Sequence, residues 1–384
     1  MRLLGYIQAQ YRASDLSEDE LQQGGAPLNQ DTFSLRRARL RILGEFDFAR
    51  FDVELDANTT RGLSLGVRRA EGGILWRNPE EDAPPWVALS VGVTDVPFGY
   101  ELAEPQDQLL FMERSAGSRA FFGGQSDVGA KLYGGVSFFR WAVAIMGGRN
   151  LTDTVGVDAL DPTSDPDFSG RLGVEASPIE DFEIAGGVSF LYGTGFSAGS
   201  TASKDAAQWQ DYNENAAIDT GELVSVPGRA ARSSETFERW GIGADLRISG
   251  RTPIGWTRVW AEATLATNLD RTWFVADPVF AGRDIREVSA MVGFVQELTR
   301  YAFVGFRYDY YDPDSDFLDD RQGVRLVVDA SVQTLSPLVG LAWPGVARLS
   351  FQYDVIMDML ARDSRGVATD LDNDGWTMRL QVGF

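Results

Sequence analysis

The chain of 384 residues has no cysteine and no histidine. Those absences remove disulfide frameworks, thiol nucleophiles, Cys/His zinc sites and a histidine general base. Lysine is nearly missing as well: Lys131 and Lys204 are the only two, and the formal net charge is −21. Such a chain offers no basic surface of the kind that holds nucleic acid. It also lacks the roughly 18 to 20 successive apolar residues of a membrane-spanning helix. Its mean hydropathy of −0.17 looks like that of a water-soluble protein. That value does not exclude a membrane β-barrel, whose alternating strands average out as hydrophilic. No Pro/Ser-rich linker divides the chain, so a single domain over residues 1–384 is expected. No leader signature is legible because Leu3 already sits in an alternating segment; a mature or unexported chain is the expectation.

What the chain does have is period-two alternation from end to end, with almost no helical periodicity. Trp240, Ile242, Ala244, Leu246 and Ile248 share one face, opposite Arg239, Gly241, Gly243, Asp245 and Arg247. One face suits lipid or a core and the other suits water. Sixteen such segments are expected: 3–11, 32–43, 45–56, 62–76, 86–96, 128–139, 140–150, 168–177, 181–192, 236–249, 255–268, 284–298, 300–311, 322–335, 345–358 and 374–384. Short connections are expected at Gly44, Phe139–Arg140, Ser177–Glu180, Gly250–Ile254 and Leu298–Thr299. Long polar ones fall at 12–31, 97–127, 151–167, 193–235, 269–283, 312–321 and 359–373. Short turns alternating with long loops describe an all-β, 16-stranded antiparallel transmembrane β-barrel of the bacterial outer membrane, with both termini on the short-turn side. The connections 57–61 and 77–85 break that alternation around the strand 62–76. A propeller or paired sandwiches would also be all β, but no blade-length repeat is present. Aromatic residues gather at segment ends, as interfacial girdles do (Trp76, Trp86, Tyr100, Trp141, Trp256, Tyr310, Tyr311, Trp343, Trp376).

The segment Phe33 to Arg41, then Phe46-Asp47-Phe48 and Asp52 to Asp56, resembles the N-terminal signature of the phosphate-selective porin O and P family. Val91 to Gly99, Leu110-Phe111-Met112-Glu113-Arg114-Ser115 and Gly129 resemble the same family's strand, third loop and next strand. The resemblance covers about the first 150 residues; beyond them only barrel patterning and the terminal Phe384 continue it. It implies a sixteen-stranded trimeric porin whose third loop, here 97–127, folds into the lumen. The family's phosphate-binding members use basic clusters that include several lysines. With only two lysines, this chain is expected to have no tight phosphate site.

Arg37, Arg39 and Arg41 share the face opposite Ala38, Leu40 and Ile42, so in a barrel they point inward. They read equally as an anion-attracting wall or as partners of Asp47, Asp52, Glu54 and Asp56 on the adjoining strand. Arg307, Arg325, Arg348 and Arg379 are further inward candidates on the last four strands, and Lys131 joins the pore-lining set. The third loop contributes Glu101, Glu104, Asp107, Glu113 and Asp127 against Arg114 and Arg119, a net of −3. Folded inward, it sets carboxylates across from the arginines and creates a transverse field. Glu113 and Arg114 alternatively anchor the loop to the wall. At most a modest anion preference is expected.

Asp312, Asp314, Asp316, Asp319 and Asp320 form one acidic loop. Asp370, Asp372 and Asp374 have the alternating-oxygen spacing of a calcium loop but lack the bidentate Glu, so a solvated loop competes with a calcium site. Acidic outer loops are also suited to divalent ions that bridge lipopolysaccharide phosphates. No cofactor is expected. Nor is an enzyme, although Asp309 and Glu262 leave a carboxylate pair formally open. Outer-membrane lipid, lipopolysaccharide and small hydrophilic solutes are the expected partners, together with two further copies of the chain. A trimer contact is placed at Gly5, Ile7, Ala9, Leu380 and Val382. The competing function is a plugged structural or adhesive barrel that binds a partner through loop 193–235, with Trp209 and Tyr212.

Overall fold

The computed structural model describes all residues except 22–24, 26, 61, 80–82, 150–162, 210–217, 219–222, 322–323, 328, 363–367 and 384. Tyr212 and Phe384 therefore lie outside the described residues. Sixteen antiparallel strands pair in sequence order and close on themselves. They are β1 Arg2–Ser14, β2 Thr32–Glu45, β3 Ala49–Asn58 and β4 Ser64–Trp76. Next come β5 Val87–Asp95, β6 Ser126–Val136, β7 Phe139–Met146 and β8 Asp167–Ile179. Then follow β9 Phe182–Ser197, β10 Glu235–Arg251, β11 Trp256–Thr267 and β12 Arg286–Thr299. The circuit ends with β13 Ala302–Asp312, β14 Val332–Trp343, β15 Ala347–Met357 and β16 Gly375–Gly383. β16 pairs with β1, Val382 opposite Ile7 and Leu380 opposite Ala9. Closure leaves no unpaired edge, which an isolated sheet in lipid would have to satisfy.

The alternation sorts outward apolar from inward polar side chains. Every strand exposes large apolar residues, among them Ile7, Leu40, Val91, Val188, Val292 and Leu380. Inward positions hold buried polar groups such as Gln8, Arg39, Asp52, Ser189, Glu287 and Gln352. A belt of that extent is costly in water and matches lipid. Ring pairs bridge neighbouring strands near the rims, Tyr11 with Phe33 and Trp376 at one end and Trp76 with Trp86 at the other.

The strand expected at 322–335 is displaced. Residues Leu318–Arg321 and Val324–Val327 instead pair as a small separate hairpin, and the barrel strand begins at Val332. Arg325 consequently sits on that hairpin and not on the wall. Pro337 lies inside β14, where the β14–β15 ladder skips from Leu335–Val355 to Leu338–Gln352. A proline donates no N–H, so a gap in the ladder is where it fits. Gly44 likewise lies within β2 and not in the turn; it faces Phe51 across the ladder, whose ring a Cβ there would strike. The third loop spans 96–125, so Asp127 belongs to β6.

Two irregularities shape the lumen. In the β1–β2 ladder Gln8 faces Arg37 and Ala9 faces Leu35, leaving Arg36 as an extra residue. In the β3–β4 ladder Glu54 faces Arg69 and Leu55 faces Val67, leaving Arg68 extra. A bulge of this kind turns two successive side chains toward one face.

Candidate pore constriction

The 96–125 segment runs inside the barrel and is held to the wall largely through its main chain. Gly99, at φ 60°, turns the backbone so that the amides of Tyr100 and Glu101 donate to Glu262 Oε2 on β11 at 2.8 and 2.9 Å. Gly99 itself donates to Ser189 Oγ on β9 at 3.0 Å. Further on, the amide of Met112 donates to Gln352 Oε1 at 2.9 Å and that of Ala116 to Asp309 Oδ1 at 3.2 Å. Wall guanidiniums take the carbonyls. Arg307 Nη1 donates to Glu113 O at 2.7 Å, Arg379 Nη1 to Met112 O at 2.5 Å and Arg348 Nη2 to Leu109 O at 2.6 Å. Buried amides and carbonyls away from water need such partners.

Glu113 is the charged hub. Its carboxylate accepts from Arg36 at 2.8 and 3.0 Å, from Arg37 at 3.0 Å and from Arg379 at 2.9 Å. The β2 bulge makes this possible, since without the extra residue Arg36 would point outward. Burial alone would raise the Glu113 carboxyl, but the guanidiniums of Arg36, Arg37 and Arg379 outweigh it and hold it well below its ordinary 4.5. Arg114 works within the loop, donating to the carbonyls of Glu101 at 2.9 Å, Leu102 at 3.4 Å and Glu104 at 3.1 Å. Burial pushes it down to about 10, which leaves it charged at neutral pH. Glu101 accepts from Ser115 Oγ at 2.6 Å and lies 3.3 Å from Arg307. The loop helix α1, Ala116–Phe122, buries Ala116, Ala120, Phe121 and Phe122 with Phe98, Leu191 and Tyr311 in an apolar cluster inside the lumen.

The expected arginine wall is present and mostly paired. Arg39 lies 3.1 Å from Asp56 and 3.2 Å from Glu54, while Arg41 holds Asp52 at 2.8 and 2.5 Å. Arg50 at 3.2 Å and Arg69 at 3.0 Å share the same fully buried Asp52, and Arg68 and Arg69 both reach Asp95. Lys131 donates to Asp95 O at 3.1 Å. The loop carboxylates close contact pairs instead of facing arginines across open water: Glu113 as above, Glu101 with Arg307, and Glu104 with Arg258 at 3.4 Å. Asp107 accepts through its carbonyl from Gln381 at 3.0 Å and lines an open cavity of about 420 Å³ on the short-turn side, with Tyr6, Arg39, Arg41, Glu54 and Arg348. Asp127 accepts from the amides of Val128 and Gly148 at 2.6 and 2.9 Å.

A second inward segment, 269–283, was not read from the sequence. Glu287 accepts from the amides of Leu269 and Asp270 at 2.8 Å each, as Glu262 does for the third loop. Asp270 accepts from the amides of Thr272, Trp273 and Phe274 and from the Tyr311 hydroxyl at 2.6 Å. Arg271 N donates to Ala120 O at 3.0 Å, Thr272 Oγ1 to Arg119 O at 2.5 Å, and the Arg119 guanidinium lies 5.1 Å from the Trp273 ring. The segment thus clamps α1 from the long-loop side. Its sequence signal is an acidic residue at an inward position, Glu287, as Glu262 and Asp309 are for the third loop, and alternation alone ranks all three as ordinary lumen polarity.

At the rim, Asp370, Asp372 and Asp374 do not converge. Asp370 accepts from the amide of Asp358 and Asp374 from that of Ile356, each at 2.8 Å, so these carboxylates serve the exit of β15. Among the described residues no group of three acidic side chains is placed to hold a metal ion.

Solved structures share this architecture. The outer membrane channel DcaP of Acinetobacter baumannii superposes with a TM-score of 0.57 at 11% identity, covering 100% of this chain and 96% of that one. The anion-selective porin from Comamonas acidovorans gives 0.55 at 10%, covering 100% and 99%. The trimer form of in-vitro folded OmpT, an outer membrane protein of Vibrio cholerae, gives 0.55 at 9%, covering 100% and 98%. At such identities the likeness is one of fold. No protein-family model matches the chain, and no curated protein sequence matches it.

Proposed function

We propose that the chain is a porin of the bacterial outer membrane through which small hydrophilic solutes and ions diffuse. One observation carries this reading: a loop pinned inside a closed barrel narrows the lumen while an open cavity of about 420 Å³ remains on its short-turn side. A loop held by main-chain contacts from β9 around to β16, and to β2 through the Glu113 carboxylate, is a constriction, not a loose plug. Because most wall charges are closed in pairs, the field along the path is weak, and at most a modest anion preference follows. The resemblance to the phosphate-selective porin O and P family extends to the loop core Phe111 to Ser115 and stops short of a lysine-rich phosphate site. Assembly as a trimer through the β16–β1 face is part of the proposal, supported by the adjacent outward side chains of Ile7, Ala9, Leu380 and Val382. The acidic rim loops suit divalent ions bound to lipopolysaccharide. Planar-bilayer recording of the purified protein tests the reading. Stepwise conductance in KCl is expected, and its absence leaves the plugged, partner-binding barrel.

A further inference from the structure

Two side chains on the short-turn cavity carry charge that, among the described residues, no neighbour closes. Arg348 on β15 makes all three of its hydrogen bonds through Nη2, to Asp107 O at 3.3 Å, Leu109 O at 2.6 Å and Gln381 Oε1 at 3.0 Å. None of these acceptors is a carboxylate, so its Nη1 and Nε donors and its positive charge remain for the cavity it lines. Asp107 of the loop is anchored by its carbonyl, which accepts from Gln381 Nε2 at 3.0 Å and from Arg348. Its carboxylate is half-buried, lines the same cavity and has no hydrogen-bond or ion-pair partner among the described residues. Arg39 and Arg41 line the cavity too, but Glu54, Asp56 and Asp52 already take them. The cavity therefore presents one open guanidinium and one open carboxylate, with no excess of either sign.

Holding the loop does not account for this. An Asn or Ser at position 107 would offer the same carbonyl to Gln381 and Arg348, so the carboxylate has no part in placement. Two charges that served only each other would meet in an ion pair, as Glu104 and Arg258 do. A simple anion at Arg348 is opposed by Asp107, and a simple cation at Asp107 is opposed by Arg348. A solute that carries both an ammonium and a carboxylate satisfies both groups at once through charge-assisted hydrogen bonds. The cavity of about 420 Å³ lies within the range of small-molecule sites, roughly 300–1,000 Å³, and it is open, so the remainder of the solute is little restricted.

We propose that Asp107 and Arg348 form a transient site for zwitterionic amino acids, the ammonium on Asp107 and the carboxylate on Arg348. The proposal rests on the porin reading and names a solute class for it.

The test follows binding of alanine, propionate and isopropylamine to the full chain in detergent by ligand-observed NMR titration, and applies alanine to single channels. Propionate lacks the ammonium, and isopropylamine lacks the carboxylate. Alanine is expected to bind about tenfold more tightly than either and to interrupt the current. Asp107→Asn removes a charge that makes no bond within the protein, so the loop keeps its anchors. It should weaken alanine about tenfold and leave propionate no weaker, with folding checked by heat-sensitive migration on gels. Equal binding of the three solutes, or alanine binding unaltered in Asp107→Asn, would overturn the proposal. A conducting protein that binds no alanine overturns the site alone. A non-conducting protein that binds alanine with this preference overturns the porin reading and leaves the site standing.

Discussion

Replacing Glu113 with Gln removes the single negative charge on which Arg36, Arg37 and Arg379 converge. Four contacts of 2.8 to 3.0 Å are affected. Removing one partner of a buried ion pair costs about 3–5 kcal/mol because the remaining charge is stranded. The Glu113 side chain is 30% exposed, so solvent screens part of this, and a local cost of about 2–3 kcal/mol is the working figure. At 1.4 kcal/mol per factor of ten, a detached loop becomes roughly 30- to 150-fold more populated. The barrel ladder is untouched, so folding and insertion should persist. Single-channel recordings should show added open-state noise, and the reversal potential in a salt gradient should shift toward anions because the constriction gains one net positive charge. Quiet currents with an unchanged reversal potential would refute the hub. The pH dependence has a definite sign. A carboxyl held below its ordinary 4.5 contributes stability above that value and loses it only as pH falls through the depressed one. The wild-type loop should therefore stay pinned from pH 7 to about 4.5 and loosen only in stronger acid.

Changing Arg37, Arg39 and Arg41 together to Ala should leave Glu54, Asp52 and Asp56 with fewer counter-charges and move reversal potentials toward cations without loss of the barrel; an unchanged potential would take these arginines out of the constriction. Gly99→Ala places a Cβ against Glu262 at a left-handed φ, and hydrogen exchange at Tyr100 and Glu101 should accelerate in detergent micelles. Tyr311→Phe deletes the 2.6 Å hydrogen bond to Asp270 and should loosen 269–283 by about 1–3 kcal/mol, read as faster exchange there with the third loop still protected. Sizing in mild detergent should give a trimer, and a particle of only one 42.2 kDa chain would count against the β16–β1 contact.

The barrel was legible because its physics is local. Alternation in Trp240 to Ile248 reports a strand wherever it sits in the ring, and even 62–76, between connections of the wrong length, is a wall strand. The misplaced fourteenth strand shows where this stops: 322–335 alternates as well as a wall strand does, yet the wall strand begins only at Val332 and runs on through Pro337, which a gap in the ladder absorbs. The site was half legible. Arg37, Arg39, Arg41, Arg307, Arg348 and Arg379 were placed inward by parity. Arg36 and Arg68 were not, because parity fails at a bulge, and only the doublets Arg36-Arg37 and Arg68-Arg69 hint at one. Which carboxylate of the third loop would meet which arginine, and that Glu262 and Glu287 would each capture two loop amides, depends on contacts between residues more than 15 positions apart, which no local pattern carries.

Outside the ion pairs of Glu101, Glu104 and Glu113, the wall grips the constriction loop by its peptide groups, and that separates placement from chemistry. A bond to an amide or a carbonyl is indifferent to the side chain on the same residue. Gln108 and Leu109 are thus exempt from positional duty and act as an exchangeable cassette on a fixed hoop. Substitution there, whether by drift or by an engineer shaping a nanopore, retunes what passes while the hoop keeps its diameter.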